Sequence, residues 1–281
     1  MNLIQAIIMG LMQGLTEFLP VSSSGHLVLT SSLYKFFTNN EFLVNNGEEI
    51  FFDIILHLGT LLAVLLFFKD DVIKITKAFF NAVLKKDYSD PEAKLALYIL
   101  LGTFFTIIVA FPLKIVSEKL INLPWVVGIF IFITGCILYS GEYVSEHLKE
   151  KNNKMDIKKA ILIGIAQGLA SIPGISRSGS TISTGIFLGL DRVTCARYSF
   201  LLSIPIIIGA SVFYPILELD MNEVVNYNWV SMIVGFIISF VSGFLCIKYF
   251  LKFLGKHSMK IFAYYCWVVG AGMFIFFKFI A

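Results

Sequence analysis

Long apolar runs separated by short polar stretches set the pattern of this chain. Runs near 51–68, 95–115, 125–140, 198–217, 229–250 and 261–280 each approach about 20 residues, the length a helix needs to cross hydrocarbon. Two further apolar stretches behave differently. Residues 6–25 read AIIMGLMQGLTEFLPVSSSG and residues 160–179 read AILIGIAQGLASIPGISRSG, aligned without a gap at an offset of 154. The matches include Gly10/Gly164, Gln13/Gln167, Gly14/Gly168, Ser22/Ser176, Ser24/Ser178 and Gly25/Gly179. Each stretch runs into a Pro/Ser/Gly break and then a second short apolar segment, 26–37 or 180–190. Neither part is long enough to span alone, so each pair reads as a helical hairpin that enters and leaves by one face. Broken backbone survives at membrane depth only where protein buries it or where it lines a wet cavity. Each hairpin is therefore a candidate site.

Three spans lie between the first hairpin and the second. An odd number of crossings places the second hairpin on the opposite face, which gives repeats of inverted topology. The pattern predicts an all-α polytopic membrane protein of two inverted-topology repeats, each a re-entrant helical hairpin plus three transmembrane helices. It forms a single membrane domain over 1–281: repeat one at 1–140, a charged cytoplasmic linker at 141–157 and repeat two at 158–281. The Ser-Gly tips of the two hairpins are expected to meet near the middle of the bilayer.

Composition agrees. The chain is 57% hydrophobic and 15% charged, with a mean hydropathy of +0.83, values that exclude an ordinary water-soluble domain. The first segment lacks a basic n-region and a small-residue cleavage site, so it reads as part of the membrane domain rather than as a signal peptide. The net charge of +3 matters less than its distribution. Lys69, Lys74, Lys77, Lys85, Lys86 and Lys94 fall on one face with the linker lysines (Lys149, Lys151, Lys154, Lys158, Lys159), Arg192, Arg197 and the lysines of 248–260; the other face holds Lys35, Lys114, Lys119 and Lys278. The positive-inside rule makes the first face cytoplasmic and puts both termini outside. No basic, aromatic-interleaved surface suggests nucleic acid. Cys136, Cys195, Cys246 and Cys266 form no C-x-x-C pair and read as reduced packing residues.

Candidate chemistry concentrates at the tips. Ser22, Ser23, Ser24 and Gly25 open one second half-helix; Ser176, Arg177, Ser178 and Gly179 open the other. Serine caps helix N-termini, and those termini attract phosphate. The serines either cap helices only or, as two facing ends with an arginine, form an anion site. Arg177 suits bidentate phosphate binding; the alternative is a structural ion pair with Glu17, and both roles hold if that pair opens when substrate arrives. Glu17 shares a helix face with Gln13, four residues earlier. A carboxylate beside an anion site holds a divalent cation, acts as a base, or serves as that counter-ion. His26 has Ser180 at the equivalent position, so the scaffold does not require histidine there. It can protonate a leaving group or attack phosphorus, or be a hydrogen-bonded structural group. Thr181 can donate to phosphate, and Asp53 and His57, also four apart, either extend the site or serve the helix. Arg192 and Arg197 read as loop residues that set topology or meet lipid headgroups. Trp125, Trp229 and Trp267 read as interfacial anchors, and Gly102, Gly128, Gly135, Gly235 and Gly243 as sites of close helix approach.

QGLTEFLPVSSSGHL at 13–27 and PGISRSGST at 173–181 resemble the two signature motifs of the bacterial undecaprenyl-diphosphate phosphatases of the bacitracin-resistance type. FDIILHLGT at 52–60 and the FLLSIP run from 200 extend the resemblance along essentially the whole chain. It implies inverted repeats with re-entrant helices and hydrolysis of undecaprenyl diphosphate to undecaprenyl phosphate and inorganic phosphate. That reaction recycles the lipid carrier of cell-wall polymer synthesis and confers bacitracin resistance. It also implies a multi-pass protein of the bacterial cytoplasmic membrane, in contact with membrane lipid, with its site open to the outer face. By position, Glu17, His26, Ser23 and Arg177 are the expected catalytic residues. Ser22, Ser24, Gly25, Ser176, Ser178, Gly179 and Thr181 are the expected substrate-binding residues. The implied cofactor is a divalent cation, magnesium with calcium as the second candidate, held by Glu17 and Gln13. Many members carry glutamate where this chain has Gln13, which leaves the metal count open. The nucleophile stays open between Ser23, His26 and water, as does a homo-oligomeric state. The rival reading is a transporter or flippase of an anionic lipid or phosphate on the same scaffold, and a third is a non-catalytic lipid- or antibiotic-binding protein.

Overall fold

The computed structural model describes residues 2–38, 47–147, 153–218, 224 and 227–281. Lys149 and Lys151 of the expected basic linker lie outside the described residues. Among the described residues every regular element is an α-helix. In chain order these are α1 (Leu3–Phe18), α2 (Ser23–Thr38), α3 (Gly47–Phe67), α4 (Lys69–Lys85), α5 (Pro91–Leu120), α6 (Pro124–His147), α7 (Ile157–Leu169), α8 (Arg177–Phe187), α9 (Arg192–Glu218), α10 (Trp229–Leu254) and α11 (Lys260–Phe279). Six of them, α3, α5, α6, α9, α10 and α11, are long and apolar enough to cross a membrane. They coincide with the six spans expected from the apolar runs. The protein is an all-α, multi-pass membrane protein.

Local chemistry sets the helix ends. Asn2 and Gln5 form a reciprocal capping box at the start of α1, satisfying two donors that the first turn leaves open. Asp90 caps α5 with Pro91 at its first position, Asp156 caps α7 and Asn228 caps α10. The α1 helix stops before Pro20, which forces Leu19 out of the helical region into an extended conformation.

The hairpins α1–α2 and α7–α8 pack by exchange of partners between the halves. The first helix of each hairpin lies along a long helix of the other half: α1 on α10, and α7 on α5. Both contacts use the duplicated glycines. A Cβ on Gly10 would lie 2.8 Å from the carbonyl oxygen of Gly235, and one on Gly164 would strike the backbone of Gly102. Small residues let helix backbones approach this closely where lipid offers no hydrophobic drive for association. The α6 and α11 helices meet at Gly128 and Gly270 in the same way. Such an exchange is what a two-fold relation between the halves produces.

Two regions differ from expectation. The stretch after Phe67 holds a helix, α4, rather than a plain loop. Ile75 and Ala82 face the protein, while Ile73, Phe80 and Leu84 form an exposed apolar stripe; a helix divided this way lies at an interface. Arg192 and Arg197 lie in α9, and both are ion-paired. The Arg192 guanidinium donates through Nε and Nη2 to the fully buried Glu142, which also accepts from the Met259 amide. Arg197 donates to Asp71 of α4 at 2.9 Å and 3.3 Å. A buried carboxylate needs a paired cation. The α6 helix runs on to His147, into the segment expected to be linker, and Glu142 ties it to the starts of α9 and α11.

Candidate active site

The first tip is a turn that ends in a strained residue. Ser22 sits at φ 75°, the left-handed region, although it is not glycine; this costs about 1–2 kcal/mol. Its side chain then caps α2, with Oγ accepting from the Gly25 amide at 3.3 Å. The second tip turns at Gly174, φ 94°, and Ser176 caps α8 by accepting from the Gly179 amide at 3.0 Å. Ser22 and Ser24 are linked through their hydroxyls, as are Ser176 and Ser178. The tips meet: Ser178 Oγ donates to the Leu19 carbonyl at 3.0 Å.

Glu17, at the end of α1, is the centre of the cluster and is 8% exposed. Its Oε1 accepts from Arg177 Nη2 at 2.6 Å. Its Oε2 accepts from Ser23 Oγ at 2.7 Å and from Gln13 Nε2 at 3.0 Å. One carboxylate thus holds residues from both tips. His57 extends the cluster, with Nε2 3.9 Å from Glu17 Oε2. Its Nδ1 donates to the Asp53 carbonyl at 2.8 Å, and the Asp53 carboxylate lies 3.6 Å away.

His26 shares a face of α2 with Ser23, three residues earlier. Its Nδ1 bonds to the Ser22 carbonyl at 2.7 Å. A carbonyl can only accept, so Nδ1 carries the proton and Nε2 is the acceptor. That nitrogen receives the Tyr265 hydroxyl of α11 at 2.8 Å. Sequence reading missed Tyr265. It also missed Ser199 of α9, whose hydroxyl bonds to that of Thr181 at 2.6 Å and whose carbonyl lies 3.5 Å from Arg177 Nη1. The structure therefore gathers Glu17, Ser23, Gln13 and Arg177, with His57 beside them. His26 is held separately by Ser22 and Tyr265. The hydroxyls of Ser22 and Ser176 serve as caps, and Thr181 also donates to backbone carbonyls of α8.

Among the described residues, no group of three or more His, Cys, Asp or Glu side chains is placed to hold a metal ion. Gln13 is fully buried and its Oε1 has no hydrogen-bond partner; the Oε1 of its buried repeat counterpart Gln167 has none either, but Gln13 has the Glu17 carboxylate beside it. An oxygen donor of that kind, with Glu17 beside it, suits a hard cation that takes its remaining ligands from substrate phosphates and water.

The arrangement pairs a hydroxyl bonded to a carboxylate with a guanidinium at the junction of two helix N-termini, a combination suited to phosphoryl transfer. The sequence profile described as "Bacitracin resistance protein BacA" matches residues 6–272. Proteins called undecaprenyl-diphosphatase are similar along nearly their whole length. That of Methanobrevibacter smithii is 39% identical, with 98% of each chain covered. Those of Methanosphaera stadtmanae and Halothermothrix orenii are 40% and 41% identical, with 96% of each chain covered.

Proposed function

The chain belongs to the bacitracin resistance protein BacA family, and from that membership and its site we infer that it is an undecaprenyl-diphosphatase. It hydrolyses undecaprenyl diphosphate to undecaprenyl phosphate and inorganic phosphate within a multi-pass membrane domain. The observation that carries the assignment of residues is the Glu17 carboxylate, bonded at once to the Ser23 hydroxyl of one tip and the Arg177 guanidinium of the other.

Ser23 is the nucleophile in this reading. Its Oγ attacks the terminal phosphorus and its proton passes to Glu17 Oε2. The bond from that phosphorus to the bridging oxygen breaks, and undecaprenyl phosphate leaves. Arg177 releases Glu17 to hold the phosphate oxygens, aided by the N-terminal amides of α2 and α8. Water then attacks the phosphoserine and the phosphorus–Oγ bond breaks; the water's proton passes to Nε2 of His26 once Tyr265 yields that nitrogen, and from there to solvent. Ser23 recovers its proton from Glu17 as phosphate departs. Gln13 Oε1 and Glu17 are the residues that would hold a divalent cation, which supplies neutralisation of phosphate charge. The concentration of lysine and arginine at one end of the helices supports a cytoplasmic assignment for that end, with both termini and the site mouth on the outer side. The transport alternative needs neither the Ser23–Glu17 bond nor the His26–Tyr265 bond.

Phosphate release from undecaprenyl diphosphate by purified protein in detergent tests this reading, with magnesium, with EDTA, and with Glu17→Ala and Arg177→Ala. Metal-dependent release that each variant lowers by about 10³-fold is expected, the cost of removing preorganised charge from such a site. No release by well-folded protein across a range of divalent ions would overturn it.

A further inference from the structure

The α2 and α11 helices touch at two places and part between them. At the tip end, His26 of α2 accepts from Tyr265 of α11. Further along, Phe36 packs edge-on against Phe276 with ring centroids 5.0 Å apart. Between these contacts lies a cavity of about 260 Å³ whose lining is almost wholly apolar, including Leu29, Leu33, Val269, Gly272, Met273 and Phe276. The lining residues continue the faces that carry the site. Leu29 and Leu33 follow His26 by three and seven residues. Val269, Gly272, Met273 and Phe276 follow Tyr265 by four, seven, eight and eleven, all helical repeats of one face. Gly272 leaves the middle of the groove open, since a Cβ there would meet nothing within 4 Å.

We propose that this groove is the subsite for the polyprenyl chain of the substrate, holding the first few isoprene units beyond the diphosphate. The inference rests on the hydrolysis assigned above and adds the residues that read the lipid. A substrate with a charged head and a long apolar chain needs an apolar surface continuous with the anion site. This groove starts at Leu29, one turn beyond His26, and runs away from the tips along α11 from Val269 to Phe276, seven residues of helical rise or about 10 Å. Its half-buried aliphatic and aromatic lining suits branched, unsaturated hydrocarbon, and it has no charged group to stop the chain. The same contact pattern explains why the groove does not close: Gly272 stands where a larger residue would fill it.

Gly272→Phe tests the proposal, because the new ring would occupy the groove without displacing any neighbour of the Cβ. Hydrolysis is compared for undecaprenyl, farnesyl and dimethylallyl diphosphates. The expected result is a rise of about tenfold in KM for the two longer substrates, the loss of a few buried methylene contacts, with kcat/KM for dimethylallyl diphosphate unchanged. Gly209→Phe, another helical glycine whose Cβ would meet nothing within 4 Å, should leave all three unchanged. Unchanged KM for undecaprenyl diphosphate would mean that the groove holds only ordinary lipid chains, and an equal loss on all three substrates would mean general damage; either overturns the proposal. The Kd for undecaprenyl phosphate, read without turnover, should weaken by the same factor. It judges the groove even if the wild-type protein releases no phosphate, an outcome that would sink the hydrolysis reading instead.

Discussion

The two hairpin tips are built alike and equipped differently. In each, a serine caps a half-helix by accepting from the glycine amide three residues on, and a second serine bonds to the first. At the offset of 154, Glu17 corresponds to Ser171, Ser23 to Arg177 and His26 to Ser180. Glu17 is buried at the junction of the tips, while Ser171 is exposed. Capping uses backbone geometry, which duplication copies. Chemistry needs a base, a nucleophile and an anion clamp in one place, which two identical tips cannot supply. Even the turns diverge: a glycine takes the left-handed position in the second tip, whereas the first gives its left-handed position to Ser22 two residues further along the alignment.

The sharpest way to break the comparison is to remove what makes the first tip unlike the second. Ser23→Ala should lower turnover of undecaprenyl diphosphate by at least about 10³-fold, as expected for loss of a nucleophile that acts as a unit with its base. Binding of undecaprenyl phosphate should survive, since Arg177 and the helix ends remain. Retained turnover would remove Ser23 from its role and leave water or His26 as the nucleophile. The turns come next. Gly174→Ala should destabilise the protein by about 3 kcal/mol, because it joins left-handed strain to a Cβ 2.5 Å from the Val127 carbonyl oxygen. Ser22→Gly should change stability by less than about 1 kcal/mol, as relief of strain offsets loss of a serine cap. Thermal unfolding in detergent reads both. Equal shifts would mean that the tips tolerate their turns for the same reason.

The sequence made some of this legible and hid the rest, for physical reasons. The six spans could be read because a run of about 20 apolar residues has few other fates. The junction of Glu17, Ser23 and Arg177 could be read because the repeat itself aligned the tips. The α4 helix escaped notice because its lysines resemble loop charges until its apolar positions are plotted at helical spacing. Arg192 and Arg197 were open to a loop reading because their acids, Glu142 and Asp71, lie 50 and 126 residues away. Tyr265 had no signal at all. It is one of 11 tyrosines, and its histidine lies 239 residues away. Composition places a tyrosine near a membrane interface; only the packing of α11 beside α2 gives this one a partner.

That partner marks the finest difference between the tips and gives the smallest expected effect on turnover. Ser180 holds the place of His26 in the second tip. His26 has its Nδ1 proton committed to the Ser22 carbonyl, and Tyr265 donates to Nε2, the nitrogen proposed above to take a proton from water. If Tyr265 sets the ring for that step, Tyr265→Phe should lower kcat by about tenfold with KM for undecaprenyl diphosphate little changed, the low end of what a positioned acid–base group contributes. The same substitution made on top of His26→Ala should cost nothing further, because two residues that act through one bond do not add. If Tyr265→Phe slows the His26→Ala protein as much as it slows the wild type, the tyrosine acts on the groove or the fold rather than on the histidine. The first tip would then owe its chemistry to Glu17, Ser23 and the arginine opposite, with His26 reduced to a hydrogen-bonded member of α2.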